Sequence, residues 1–241
     1  MKSFTNEDLI INRKKWATRL SPVAMIMLVG GLVTNFMSLQ QQDPSTLSLF
    51  FYTTIFLLGG GFITSTISAQ LVNHWVKEPR ADQHLENILQ SFDNKHVLFN
   101  YTTDAPHVLL TPTKIYSITV KGHDGKISVN KNRWRRAFSW GRLLRAFMDE
   151  GLGNPSADAL QHADKLRNKL HNALDEQADG ITVLPLVVFT DPKVELTVED
   201  PEVPVMKGGK LKTFIRENTR GSAINSEKRQ KIAQFLAGET K

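Results

Sequence analysis

The chain has 241 residues, a formal net charge of +6, a sequence pI of about 9.5 and no cysteine. A basic balance of this kind favours anionic partners, and the lack of cysteine is compatible with a cytosolic domain. The sequence has no internal repeat and no low-complexity tract, and the part after Trp75 is about long enough for one ordinary domain.

Two long apolar stretches near the start predict a pair of membrane-spanning helices. They run from Leu20 to Met37 and from about Leu47 to Val72, and neither contains Asp, Glu, Lys or Arg. A bilayer core about 30 Å thick needs about 20 apolar residues per helix. The alternatives are a cleaved signal peptide and buried core helices. The first stretch is longer than the usual apolar region of a signal peptide, about 7–15 residues, and no small-residue cleavage pattern follows it.

The flanking charges predict that both termini are cytoplasmic. Lys and Arg precede the first stretch and follow the second, whereas the turn at Asp43-Pro44 carries neither. Positive flanks stay inside, and Trp16 and Trp75 suit the two interfaces. We therefore expect a multi-pass protein of a bacterial-type inner membrane. The stretches contain no ionisable group, which favours an anchor over a transport pathway, and Gly30-Gly31 and Gly59–Gly61 would let the helix backbones approach closely.

The rest of the chain predicts a mixed α and β domain. Asn154 is a natural N-cap, with Pro155 at the first position of an amphipathic helix. The turn signal Gly122–Gly125 predicts that the strands on either side of it form a hairpin. Hydrophobic periodicity predicts helices at 81–92, 155–174, 211–216 and 227–236, and strands at 95–101, 107–111, 115–121, 126–129, 181–189 and 203–206.

A strand-turn-strand unit from Pro106 to Lys121 is the most informative part of this domain. Glu86 lies on the helix before it, and Asn154-Pro155 and a long helix follow it. In this order the chain, from about Pro79 to Arg216, resembles the nuclease-related domain family, NERD, which is similar to restriction-endonuclease-like nucleases. The resemblance implies an α/β (α+β) restriction-endonuclease-like soluble domain preceded by a transmembrane helical hairpin. The predicted division is a cytoplasmic basic N-terminus, the hairpin, the NERD-like cytosolic domain, and a C-terminal helix and tail, at 1–19, 20–75, 76–220 and 221–241.

The match to the family's site is incomplete. The helix Glu, the His and the strand-end Lys of the family are matched by Glu86, His107 and Lys121. The family's Asp, Glu and Gln positions hold Pro106, Thr119 and Asp158. A metal-dependent phosphodiesterase needs hard oxygen ligands to bind Mg²⁺. Pro106 and Thr119 supply no carboxylate, although Asp104 and Asp124 lie near them in the sequence.

These departures lead to two main hypotheses. The leading one is a catalytically degenerate binding module that needs no cofactor and contacts nucleic acid or anionic lipid at the cytoplasmic face. The alternative is a Mg²⁺-dependent nuclease with an atypical catalytic site of Glu86, Asp104 and Lys121. A scaffold for a protein partner of unknown identity is a third interpretation. The sequence shows no P-loop, no nucleophile elbow and no His-based metal spacing.

The segment 126–148 carries many cations and no acidic residue. Arg with interleaved aromatic rings can bind phosphates and stack on exposed bases. The same mixture suits a layer of anionic lipid headgroups. A third interpretation is a basic loop whose Trp134 packs on the core. The candidate contact residues are Lys126, Lys131, Arg133, Arg135, Arg136, Arg142, Arg145, Trp134 and Trp140.

Overall fold

The computed structural model describes residues 1–138, 151–174, 181–219 and 221–238. The described chain divides into two compact units. One is helical and contains Glu7–Arg80. The other contains Met1–Asn6 and Ala81–Phe138 together with the described residues from Leu152 onward.

The helical unit is an antiparallel hairpin. Helix α1 spans Glu7–Ser38, helix α2 spans Pro44–Leu71, and a π-helical turn at Val72–Val76 follows. Both helices are long and apolar enough to cross a membrane, and only 11% of each apolar window is buried. The sequence prediction of two long apolar helices is therefore confirmed.

Residues spaced by seven form the contact between α1 and α2. A period of seven keeps the same residues facing a partner helix along its length. We call this contact the hairpin seam, and its buried members are Ile10, Ala17, Ala24 and Gly31 of α1 and Thr54, Gly61 and Ser68 of α2. Most of these side chains are small, which lets the two backbones approach closely.

Hydrogen bonds cross the hairpin seam, and a cap closes its turn. The Thr34 and Thr54 hydroxyl oxygens lie 2.9 Å apart, and Ser68 Oγ donates to the Ala17 carbonyl at 3.3 Å. At the turn, Asp43 accepts hydrogen bonds from the Thr46 backbone N–H at 3.0 Å and from two hydroxyls. The first of these gives a backbone N–H at the start of α2 the acceptor that the helix itself does not supply. These bonds, the one from the Ser45 hydroxyl first, lower the pKa of Asp43 to about 2.

A six-stranded sheet is the centre of the second unit, with strand order β1-β2-β3-β4-β7-β9. Its parallel pairs are β1 with β2, β4 with β7 and β7 with β9, and its antiparallel pairs are β2 with β3 and β3 with β4. The strands span Lys2–Thr5 (β1), Val97–Asn100 (β2), His107–Leu110 (β3), Ile115–Lys121 (β4), Val183–Phe189 (β7) and Val205–Lys207 (β9).

Helices cover both faces of this sheet. Helices α3 (Ala81–Leu89) and α5 (Gly208–Glu217) pack on one face, against side chains such as Leu98 and Ile118. Helices α4 (Pro155–Leu174) and α6 (Ser226–Ala237) pack on the other, against side chains such as Phe99. Because side chains alternate along a strand, neighbouring residues of β4 face different helices.

A second sheet, of order β6-β5-β8, overturns one sequence prediction. Strand β5 (Gly125–Lys131) pairs with β6 (Arg133–Arg136) and with β8 (Val194–Pro201). It does not pair with β4, so the predicted hairpin of these two strands is wrong. The Gly122–Gly125 turn instead carries the chain from one sheet to the other, where the inner face of β5 buries Ile127 and Val129.

Locally patterned elements agree well with the sequence predictions. Helix α4 has the predicted bounds, and Asn154 caps it by accepting from the Ala157 N–H at 3.1 Å. Strand β7 falls within the predicted strand at 181–189 and lies inside the large sheet. The sequence patterns did not reveal β1, β6 or β8. Strand β1 precedes the hairpin in the chain and belongs to the sheet of the second unit.

Candidate functional site

Four polar side chains meet where the end of β4 faces helix α4. Lys121 Nζ lies 3.1 Å from Asp158 Oδ2, and Thr119 Oγ1 lies 3.2 Å from His162 Nδ1. We call these four residues the Lys121 cluster. Thr119 and Lys121 share one face of β4, and Asp158 and His162 lie one helical turn apart on α4. The Lys121 side chain is mostly buried, with 11% exposed, whereas that of Asp158 is 44% exposed.

The sheet register brings positions 106 and 119, where the family has an Asp and a Glu, to this cluster. His107 pairs with Ile118 in the antiparallel β3–β4 ladder. Continuing that register by one residue places Pro106 beside Thr119, on the face that Lys121 also occupies. The two positions where the family has an Asp and a Glu are therefore adjacent in space. In this chain they carry a pyrrolidine ring and a hydroxyl, so Asp158 is the carboxylate that meets Lys121.

Glu86 lies on the opposite face of the sheet from Lys121. Its Oε1 accepts from Asn100 Nδ2 at 3.3 Å and from the Thr5 hydroxyl at 3.5 Å. Asn100 in turn lies 2.9 Å from His107 through its Oδ1 and the imidazole Nδ1. Glu86 thus belongs to a polar chain under α3. His107 is almost fully buried and hydrogen-bonded.

Asp104 is also held away from Lys121. Its Oδ2 lies 2.8 Å from Lys169 Nζ on α4. Lys169 lies about three turns along α4 from Asp158, a distance of about 16 Å at a rise of about 1.5 Å per residue. The structure therefore does not bring together the three predicted catalytic residues Glu86, Asp104 and Lys121.

The Lys121 cluster does not fit Mg²⁺. A hard dication prefers several oxygen ligands, including carboxylates. Here Asp158 supplies the carboxylate, and Lys121 already neutralises it at 3.1 Å. Within the described ranges, no three His, Cys, Asp or Glu side chains are grouped so that they could hold a metal ion.

Burial controls the protonation of His162. Desolvation lowers its pKa below the ordinary 6.5 because the imidazolium would lose water contacts. Asp158 opposes this shift by attracting the charged form, and Lys165 and Lys121 reinforce it by repulsion. The imidazole is therefore neutral at pH 7.

Within the described residues 126–138, the predicted contact segment forms part of the outer face of the second sheet. This face is exposed and entirely polar in the described residues. The register aligns Arg133 with Asn130 and Glu199, and Arg135 with Ser128 and Thr197. Cations thus line the β6 edge and carboxylates line the β8 edge. Lys126 lies 3.8 Å from Glu195 across the β5–β8 pair, and Lys131 is exposed at the end of β5.

Two predicted contact residues instead have inward partners. The Trp134 ring lies 5.9 Å from that of Phe189, and its Nε1 donates to Ser156 Oγ at 3.0 Å. Arg136 is paired with the Asp124 carboxylate. Trp134 therefore packs on the core, which is the structural interpretation that the sequence left open. Trp140, Arg142 and Arg145 lie outside the described residues.

Comparison with known families supports the resemblance inferred from the sequence. Residues 74–190 match the model of the nuclease-related domain family, NERD. The match spans α3 to β7 and includes the whole Lys121 cluster. A nuclease-related domain is therefore present in this chain, and two helices that fit a membrane anchor precede it. Searches of curated proteins and of solved structures give no significant match.

Proposed function

We propose that this protein is a membrane-anchored binding module whose nuclease-related domain has lost metal-dependent catalysis. The ion pair between Lys121 and Asp158 carries this proposal. In a metal-dependent phosphodiesterase, carboxylates hold the cation that polarises the phosphate. Here the adjacent positions 106 and 119 lack carboxylates, and the lysine at the strand end neutralises an acid from α4. The restriction-endonuclease-like fold remains part of this proposal.

A cleavage assay tests the catalytic part. The full chain, reconstituted in nanodiscs, is incubated with linear DNA and RNA and either Mg²⁺ or Mn²⁺, beside the Lys121→Ala variant. We expect equal background cleavage in both. Metal-dependent cleavage that Lys121→Ala abolishes would establish the alternative, a nuclease with an atypical site.

We propose that Arg133 and Arg135 contact phosphate groups of nucleic acid or of anionic lipid. Both are exposed on the outer face of β6, where Arg can bind phosphate in a bidentate manner. Strands β5 and β8 contain no aromatic residue, and the Trp134 ring of β6 packs inward near Phe189, so these three strands present no exposed ring beside the two Arg. We therefore expect recognition of phosphates with little stacking on bases.

Paired charge removal tests this surface. The Arg133→Ala/Arg135→Ala variant is compared with Lys210→Ala/Lys212→Ala, which loses the same charge on α5. Oligonucleotide anisotropy over a salt series detects nucleic acid, with a log–log salt slope lower by about 2 if both Arg contact phosphates. A dye at Ser128→Cys, in anionic and zwitterionic nanodiscs, reports lipid contact. If the two double variants gave equal oligonucleotide binding and an equal dye response, the proposal that Arg133 and Arg135 contact phosphate groups would be refuted.

The membrane part of the proposal is a two-span anchor with both termini on the cytoplasmic side. Basic flanks support that orientation. The pairing of β1 with β2 also supports it, because the chain before α1 and the chain after α2 then enter the same unit. The chain lacks cysteine, so single cysteines at Ser3 and Ser45 can be labelled from one side of sealed vesicles. Labelling of both from the same side would contradict the anchor.

A further inference from the structure

Strand β1 is an unusual element of the domain because the hairpin separates it from every other strand. Only Asn6 lies between the end of β1 and the start of α1. Its partner β2 follows more than ninety residues later, with Lys2 aligned to Val97 and Thr5 to Asn100. Strand β1 also lies outside residues 74–190, which match the family model. It is therefore an addition to the edge of the matched domain.

Backbone and side-chain contacts hold β1 in place. The Lys2 N–H donates to the His96 carbonyl at 3.2 Å, and the Asn6 N–H donates to the Asn100 carbonyl at 3.0 Å. In a parallel ladder alternate residues face the partner strand, so the Phe4 amide also faces β2 and the Ser3 amide points away. The Phe4 ring stacks on Phe99 at 5.4 Å.

The end of β1 joins a polar cluster that includes the first helix after the hairpin. Asn100 Nδ2 donates to the Thr5 hydroxyl at 3.1 Å and to Glu86 on α3 at 3.3 Å. Thr5 lies two residues before α1, and α3 follows the hairpin. One asparagine side chain thus joins the segments on both sides of the anchor.

Strand β1 is short and mostly exposed, but the strand that it covers is fully buried. Lys2, Ser3 and Phe4 are exposed, and β1 contains only four residues. All four residues of β2 are buried. Without β1, the outward amides of β2 would lose their partners, and an unpaired edge is a template for association with other chains.

We propose that β1 is a strap that seals the β2 edge of the nuclease-related domain after the hairpin returns the chain to it. The strap couples the anchor to the domain: the sheet is complete only when the segments before α1 and after α2 are together. Displacement of the strap exposes the backbone amides of Leu98 and Asn100, which face β1, to exchange with solvent. The Val97 and Phe99 amides, which face β3, stay protected.

Hydrogen exchange at single-residue resolution, on the full chain in detergent micelles, tests the strap. Phe4→Pro removes an amide that faces β2, whereas Ser3→Pro removes one that points away and serves as the matched control. We expect Phe4→Pro to speed exchange at Leu98 and Asn100 by about tenfold, as loss of ladder hydrogen bonds predicts. Exchange at Val97 and Phe99 should not change.

Phe4→Ala keeps the backbone amide but removes the stacked ring, and it provides the second test if Phe4→Pro fails to fold. It should speed exchange at the same two amides by a smaller factor. Equal exchange at Leu98 and Asn100 in the wild type, Ser3→Pro and a folded Phe4 variant would overturn the strap. Uniform faster exchange over β2 and β3 would also overturn it. Neither readout requires lipid or nucleic-acid binding, so the proposed function can fail independently.

Discussion

The close packing at the hairpin seam predicts that alanine substitutions at the glycines in and beside it weaken the pairing of α1 and α2 to very different extents. At Gly31 an added Cβ would lie 2.6 Å from Leu58 Cδ2 and 3.1 Å from the Leu58 backbone nitrogen. A side chain can rotate away from a 2.6 Å contact, but a backbone contact requires the helices to separate. At Gly59 an added Cβ would meet nothing within 4 Å.

The two neighbouring glycines should fall between these extremes. At Gly61 the Cβ would lie 2.9 Å from Leu28 Cγ and 3.1 Å from its backbone nitrogen. At Gly60 the close atom is Met27 Cε at 2.6 Å, the end of a flexible side chain that can move at little cost. We expect the alanine substitution to weaken helix pairing most at Gly31, less at Gly61, still less at Gly60 and least at Gly59.

The magnitude follows from overpacking. Extra methyl groups in a well-packed contact destabilise by about 1–3 kcal/mol. Gly31→Ala and Gly59→Ala share the gain in helix propensity, so it cancels in their comparison. The ratio of paired to separated helices should therefore differ between them by about 5- to 150-fold.

The rate of disulfide formation between introduced cysteines reports the pairing of the two helices directly, because the chain has no native cysteine. Thr34→Cys/Thr54→Cys replaces two hydroxyls that lie 2.9 Å apart across the hairpin seam. In liposomes this pair should oxidise rapidly with Gly59→Ala and slowly with Gly31→Ala. Equal oxidation rates, with equal helix separations by spin labelling, would refute the packing argument.

Further predictions concern the soluble unit. Lys121→Met and Asp158→Asn should each lower the free energy of unfolding by about 1–2 kcal/mol. This is less than for a fully buried ion pair, because Asp158 is about half exposed, and a double-mutant cycle should show that the two substitutions are energetically coupled. Because burial lowers the pKa of His162 in the folded state, the free energy of unfolding should fall as pH drops below 6.5, and His162→Gln should remove that part of a pH series of denaturant melts. Trp134→Phe should lower stability by about 1 kcal/mol through the lost bond to Ser156, without changing oligonucleotide anisotropy. Pro106→Asp/Thr119→Glu should create Mg²⁺-dependent thermal stabilisation; if single substitutions bind Mg²⁺ equally well, the two positions are not adjacent.

Local patterns alone were sufficient for several elements. The two apolar helices, the capped helix α4 and the buried strand β7 each depend on residues that are close in sequence. Burial against any apolar partner produces the same periodicity, so these patterns do not depend on which partner the element meets. For the same reason, the family resemblance could be recognised from the order of elements around Lys121.

Tertiary structure decided which residues meet. The sequence placed Glu86, Asp104 and Lys121 in one candidate site, but α3 and α4 cover opposite faces of the sheet, and Lys169 holds Asp104 far along α4. Strand β1 also escaped sequence analysis, because its four residues have a weak pattern and its partner lies beyond the hairpin. The face of the sheet on which a side chain lies, and the pairing of strands far apart in the chain, depend on the register and packing of whole elements. A local window of sequence contains neither.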